Sequence, residues 1–287
     1  MKALVTGGAG FIGSHLVNKL ISESYSVDVI DNYSTGIEEN KNSKAHYIKM
    51  DIRDDLSRLG EYDIIFHLAA LARIQPSFKN PFETIDVNMN GTANICKLAR
   101  KINAKVVYAG SSSFYAGPYL SPYSFSKWQG EEICKMFNKV YGLNVAIARF
   151  FNVFGKGQPD SGPYATIVGI FEKQYINGNQ LTITGDGEQR RDFTHVSDIV
   201  SGLILMGKDF WNAEIFNLGT GINYSINELA LMYPCKSKYI SKRPGEARET
   251  LADISFSVKE LGYSPSRDLK DYVMNWLEKN NPSKIIN

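Results

Sequence analysis

Cysteine and histidine are scarce in this chain of 287 residues, and each scarcity excludes something. The cysteines are Cys96, Cys134 and Cys235, an odd number with no close pair. That pattern gives neither a disulfide framework nor a zinc spacing, and it fits a reducing cytoplasm. The histidines, His15, His46, His67 and His195, are scattered, so they read as structural or surface groups, and no metal site is expected. A charge excess of one sign is also missing. Thirty-two Lys and Arg against 30 Asp and Glu leave a formal charge of +2, which marks out neither a nucleic-acid grip nor a membrane footprint. No apolar run is long enough to span a bilayer. Lys2 to Gly7 leads directly into fold chemistry, so no signal peptide is expected. There is no internal repeat and no low-complexity tail.

What is present is alternation. Lys2–Thr6 is a short apolar run ending in glycines and reads as a buried strand. Residues 11–24 carry a helical stripe of Phe11, Ile12, Leu16, Val17, Leu20 and Ile21. Ser26–Asp31 is a second strand, and residues 47–50, 63–69, 105–109 and 144–150 read as four more. Helices are expected between them over Pro81–Ile102 and Pro122–Tyr141, each with proline suited to a first turn. Strand alternating with helix implies an α/β fold, a Rossmann-type doubly wound parallel sheet covered on both faces. After Asn152 the texture changes to a Gly-, Pro- and Asp-rich loop at 155–162, a helix over about 164–177, a strand at 181–183 and the turn Gly185-Asp-Gly187. A helix at 196–206, a strand at 214–218 and two short helices starting near Ser255 and Leu269 follow. The expected division is a nucleotide-binding unit over 1–154, with about 191–218 packing back onto it, and a smaller α/β substrate-binding unit over 155–287.

The glycines after the first strand are Gly7, Gly10 and Gly13, followed by a helix. In that context Gly7 permits the tight turn, Gly10 lets backbone approach a pyrophosphate, and Gly13 lets helix pack on sheet. The helix N-terminus supplies free N–H groups for phosphate. Asp31, eighteen residues beyond Gly13 at the end of the second strand, suits the two adenosine ribose hydroxyls. It would repel a 2′-phosphate, which favours NAD over NADP. For Asp51 two roles stay open, the adenine edge and an ordinary helix cap.

Tyr123-Ser-Phe-Ser-Lys127 puts a tyrosine and a lysine on one face of a helix. A free tyrosine, with a pKa of about 10, is a poor base at neutral pH, and a nearby cation lowers that value. The preceding strand ends in Gly110-Ser111-Ser112-Ser113.

Together TGGAGFIGSH (6–15), HLAA (67–70), the Ser111 cluster and YSFSK resemble the extended short-chain dehydrogenase/reductases, and more narrowly the NAD-dependent nucleotide-sugar epimerases and dehydratases. Asn88-Met-Asn-Gly91-Thr92, Arg149-Phe-Phe-Asn152, residues 185–193, Asn217-Leu-Gly219 and Arg243-Pro-Gly-Glu246 extend the resemblance to about residue 265. It implies that Tyr123 is the catalytic base, Lys127 its electrostatic partner and ribose anchor, and Ser111 the hydroxyl that orients the sugar 4-OH. It places Phe11, Ile12, Asn32, Ile52, Leu68, Ala69, Ala70 and Asn88 along the cofactor, with the glycines, Asp31 and Asp51. It places Ser112, Ser113, Asn152, Arg191, Arg243 and Glu246 on the nucleotide sugar, the arginines on its diphosphate. Two arginines on separate segments also suit a dianion by themselves. The resemblance further implies a homodimer through the 81–102 and 122–141 helices. Ile95, Ile133 and Phe137 are compatible with such an interface or with facing the sheet.

Within that family dehydratases carry Asp-Glu directly after the Ser or Thr, and the related decarboxylases use a nearby Glu. Here those positions are Ser112 and Ser113, which leaves 4-epimerisation of a UDP-hexose as the expected reaction. The alternatives are a 4,6-dehydratase or decarboxylase of the same family, a reductase releasing its product, and a non-catalytic NAD-binding sensor, which need not keep Tyr123 and Lys127. Thr250 stands where glucose-restricted relatives are bulkier, which suggests room for an N-acetyl group. Arg73, just after HLAA, reads either as a lip residue or as a cation suited to a uronic acid. Tyr123 follows Ser111 by only twelve positions, fewer than is usual in the family, and this leaves open which serine faces the substrate.

Overall fold

A computed structural model describes residues 1–280 of the chain. Residues 281–287, the end of the expected C-terminal unit, lie outside the described residues. In chain order the elements are β1 (Lys2–Thr6), α1 (Phe11–Ser22), β2 (Ser26–Asp31), β3 (His46–Lys49) and β4 (Ile64–His67). Then come α2 (Ile74–Lys79), α3 (Pro81–Ile85), α4 (Gly91–Ile102), β5 (Lys105–Ser111), α5 (Ser113–Ala116), α6 (Pro122–Tyr141) and β6 (Val145–Phe150). They are followed by β7 (Val153–Phe154), α7 (Ile167–Ile176), β8 (Leu181–Thr184), β9 (Arg190–Asp192), β10 (Thr194–His195), α8 (Val196–Met206) and β11 (Asn212–Leu218). The last are β12 (Asn223–Ser225), α9 (Ile226–Leu231), β13 (Ser237–Ile240), α10 (Ser255–Leu261) and α11 (Leu269–Lys279).

Seven strands form one parallel sheet in the order β11-β6-β5-β4-β1-β2-β3, a Rossmann-type doubly wound arrangement. Both faces are buried, as the near-continuous apolar strands require. Ala3 and Val5 of β1 join Leu16, Val17 and Leu20 of α1 and Ile199, Leu203 and Met206 of α8 in one core. Leu4, between them, points to the opposite face and joins Ile95 and Leu98 of α4 and Cys134 of α6. The chain therefore leaves β1 over one face and β4 over the other. The crevice between these adjacent strands, at their carboxyl ends, is the switch point where open α/β sheets take ligands. A third core gathers Phe171 of α7, Ile183 of β8, Leu229 of α9 and Val273 of α11.

The 81–102 helix differs from its sequence reading. A wide π-helical turn at Asp86–Asn90 separates α3 from α4 without breaking the run. The hydropathy of those five residues is ordinary for a helix, so nothing in the pattern signals the extra residue. Ile95, weighed above as an outward residue, is fully buried against the sheet.

Candidate functional site

The switch-point crevice opens into one cavity of about 1410 Å³ that runs from the glycine turn to the segments around 159–167 and 243–250. At one end Gly7 has φ of +72°, and a Cβ on Gly13 would lie 2.1 Å from the Gly7 carbonyl oxygen. The turn and the helix entry therefore leave no room for side chains. Gly10 precedes α1 without a side-chain cap, so the N–H groups of the first turn are left to a ligand. Asp31 is buried at the end of β2, where its carboxylate accepts from the Ala9 and Tyr33 N–H groups at 2.9 and 2.8 Å. Asp51 caps no helix. Arg53 forks onto its carboxylate, Asn32 donates to it at 2.8 Å, and Arg53 holds it well below the usual carboxylate range. His67 is buried between Thr6 and Thr92, which ties β4 to β1 and α4, and burial pulls its pKa down to about 3.

Midway along the cavity, β5 ends at Ser111 and α6 begins at Pro122. Ser121 caps α6 by accepting from the Ser124 N–H at 3.0 Å, and Pro122 takes the first helical position. The compact link between them contains the single turn α5 and a bend at Gly117. It brings the Tyr123 hydroxyl to 3.2 Å from Ser111 Oγ, to which it donates. Burial raises the Tyr123 phenol, while the Ser111 hydrogen bond and the Arg73 charge pull it down. Lys127 lies one turn further on, buried, with its ammonium 4.3 Å from the centre of the Tyr108 ring. Burial brings its pKa down to about 8, against the pull of Glu131 and Cys134. The Arg73 charge reaches the phenol from the cavity wall, and the Lys127 ammonium lies over the Tyr108 ring. Behind the pair, Arg149 on β6 forks onto Glu131 of α6 at 2.6 and 3.0 Å and is stacked on Phe114. This fixes the sheet end against the helix.

The far wall comes from the C-terminal segments. Arg191 on β9 donates to the Arg190 carbonyl at 2.8 Å. Burial lowers its pKa and Glu246 opposes that shift. Arg243 is exposed on the segment that Gln75 of α2 clasps through the Pro244 carbonyl at 2.8 Å. The Asn152 amide donates to the Asp192 carbonyl and to Thr250 Oγ1, both at 3.3 Å. Thr250 is buried in the wall.

The sequence profile of the NAD dependent epimerase/dehydratase family matches residues 3–219. The chain belongs to this family. A Methanocaldococcus jannaschii protein provisionally assigned as a UDP-glucose 4-epimerase is 37% identical over 97% of this chain and 99% of its own. The crystal structure of a Thermotoga maritima UDP-glucose 4-epimerase with UDP-glucose superposes with a TM-score of 0.93 at 31% identity, covering both chains fully. UDP-glucuronic acid decarboxylase 3 of Arabidopsis thaliana is 33% identical over 94% of this chain and 86% of its own.

NAD is the cofactor of the epimerase/dehydratase family, and the residues present fit it. The side-chain-free turn, the uncapped helix and the buried Asp31 are the donor and acceptor set a dinucleotide needs. All but one of the sequence-derived site residues line the same cavity, from Gly7, Phe11, Ile12, Ile52 and Leu68–Ala70 to Ser112, Ser113, Asn152 and Glu246. Asn88 does not. It is buried beside the π turn, donating to Ser126 Oγ and to the Leu71 carbonyl and accepting from the Leu71 N–H. It positions the strand-end segment against α6 and has no surface left for a cofactor. The cavity also includes Ser34, Thr35, Tyr164, Thr166 and Gln189, which sequence reasoning missed. They sit in turns without periodicity. Tyr164 and Thr166 fall inside the expected 164–177 helix, which begins only at Ile167 because Thr166 is its cap.

Proposed function

We propose that this protein is an NAD-dependent 4-epimerase of nucleotide sugars, acting on UDP-hexoses with room for a 2-N-acetyl group beside Thr250. The observation that carries the reading is the Tyr123–Ser111 hydroxyl pair, 3.2 Å apart in the cavity wall with no carboxylate in attendance. The cavity-lining carboxylates are Asp31, Asp51, Glu83 and Glu246. Asp51 and Glu83 are paired with Arg53, Asp31 is held by backbone at the glycine turn, and Glu246 faces Arg191. Elimination of water across C5 and C6 needs a carboxylate acid or base beside the sugar, so this composition favours epimerisation.

Tyr123 takes the 4-OH proton while Ser111 Oγ orients that hydroxyl, and Tyr123 later returns a proton to the same oxygen. When bound against the glycine turn and Asp31, NAD would supply reversible hydride transfer at the sugar C4. Lys127 keeps a buried positive charge one turn from the base at pH below about 8. Ser112 and Ser113 orient the sugar, while Asn152, Arg191 and Arg243 hold the diphosphate and Glu246 the nucleotide ribose. Residues 1–154 with 191–218 make the cofactor-binding unit, the remainder makes the substrate unit, and the chain pairs as a homodimer.

Incubation with UDP-glucose, UDP-N-acetylglucosamine and UDP-glucuronate, followed by NMR of the products, tests this. Accumulation of a 4-epimer without net NADH is expected. A 4-keto-6-deoxy sugar, or a pentose with carbon dioxide, overturns it.

A further inference from the structure

Arg73 is a cation in the cavity wall without a counterion. It follows the β4 strand end and precedes α2 with an extended backbone, φ −153° and ψ 144°. Its Nε donates to the Tyr164 carbonyl at 3.0 Å and its Nη1 to the Ala72 carbonyl at 3.0 Å. The two bonds clamp the guanidinium between the strand-end segment and the 159–166 loop, but neither neutralises charge. Among the described residues no carboxylate pairs with it, and the groups that act on it are the phenols of Tyr123 and Tyr164. Burial works against its charge, and an unpaired desolvated cation is costly. With Nε and Nη1 each donating to a carbonyl, Nη2 makes no hydrogen bond among the described residues, and a guanidinium with donors to spare suits a carboxylate. Ser113 Oγ is a buried polar atom without a partner in the same cavity wall.

Position separates Arg73 from the other two cavity arginines. Arg191 faces Glu246, and Arg243 sits on the exposed segment clasped by Gln75. Both belong to the C-terminal wall assigned above to the diphosphate. Arg73 is instead the cation felt by Tyr123, at the reacting end of the cavity. The negative charge it calls for is therefore on the sugar.

We propose that Arg73 is a specificity-determining residue that binds a carboxylate on the sugar ring, and that the preferred substrates are acidic nucleotide sugars of the uronate class. This rests on reading the cavity as a nucleotide-sugar site. The carboxylate forks onto the guanidinium and is held in the cavity beside the Tyr123–Ser111 pair. No bond is made or broken at that group.

Calorimetric titration of the NAD-loaded protein with UDP-glucuronate and with UDP-glucose, which differ only at C6, tests the proposal. The uronate is expected to bind about tenfold or more tightly, the margin of a charge-assisted hydrogen bond. R73M should abolish the margin between the two sugars, and R73K, which keeps the charge and tests folding, should retain part of it. Equal affinities in the wild type, no binding of the uronate, or a margin that survives R73M overturns the proposal. So does an equal loss of turnover on both sugars with unchanged affinities, which assigns Arg73 to the phenol alone. The two readings fail separately. An Arg73-dependent preference with a product other than a 4-epimer sinks the epimerase reading and leaves this one standing. Epimerisation of neutral sugars with the uronate ignored does the reverse.

Discussion

At Tyr123 burial and charge oppose each other. Burial raises the phenol, Ser111 and Arg73 lower it, and burial outweighs them. If Tyr123 is the base, Y123F lowers kcat by about 10²–10⁴-fold, the ordinary worth of a positioned acid–base group, with KM changed little. Steady-state kinetics checks this, and retention of more than about a tenth of the wild-type kcat contradicts it. S111A should fall in the same direction by less. The Tyr-x-x-x-Lys spacing and the serine cluster were readable as chemistry because a helix turn and a strand end are local. The direction of the Lys127 ammonium was not, because it depends on Tyr108, a strand away. The internal role of Asn88 was hidden for a similar reason, since its partners at Leu71 and Ser126 are distant in sequence.

At the scale of elements, the site depends on how closely α6 lies on β5. A Cβ on Gly130 would sit 2.0 Å from Tyr108 Oη, whose hydroxyl donates to the Lys127 carbonyl at 3.2 Å. G130A must push the helix outward and carry Tyr123 and Lys127 with it. It should cost about 1–3 kcal/mol in urea denaturation, with a matching loss of kcat. Unchanged stability and kcat would show that the close approach does not hold the site. A second case is α7. Glu172 is buried, with one oxygen unpartnered, and burial raises its pKa from 4.5 to about 7. The folded protein therefore keeps a proton that the unfolded chain loses. Stability from this group falls as pH rises from 4.5 to about 7, and the cost is full above that window. E172Q should gain about 3 kcal/mol at high pH relative to its effect below the window, read by urea denaturation at both ends. Strands of the central sheet were legible from apolar runs. Among the short pairs β7 with β10, β9 with β12 and β8 with β13, only the β8 strand was legible, as the 181–183 run; the others were not, because two to four residues give no period and their partners are remote.

At the scale of the whole molecule, α6 exposes Met136, Val140 and Tyr141, with Arg100 of α4 stacked on the Tyr141 ring at 3.9 Å. If the homodimer forms there, sedimentation gives twice the chain mass, and V140E shifts it to monomer while NAD remains bound. A monomeric wild type contradicts the pairing. No described helix is long and apolar enough to cross a membrane. The parallel sheet and its glycine turn followed from the sequence because alternation and the turn chemistry are both written locally. The 243–250 segment was expected at the substrate through Arg243 and Glu246, but the 159–167 segment was not, nor was the tie between the two ends of the fold through contacts such as Gln75 with Pro244. The central claim, that hydride leaves C4 and returns to it within one cavity, is tested most directly with a nucleotide sugar deuterated at C4. The account predicts a 4-epimer that keeps its deuterium at C4 in ordinary water. Deuterium recovered at C6, or lost to solvent, contradicts it.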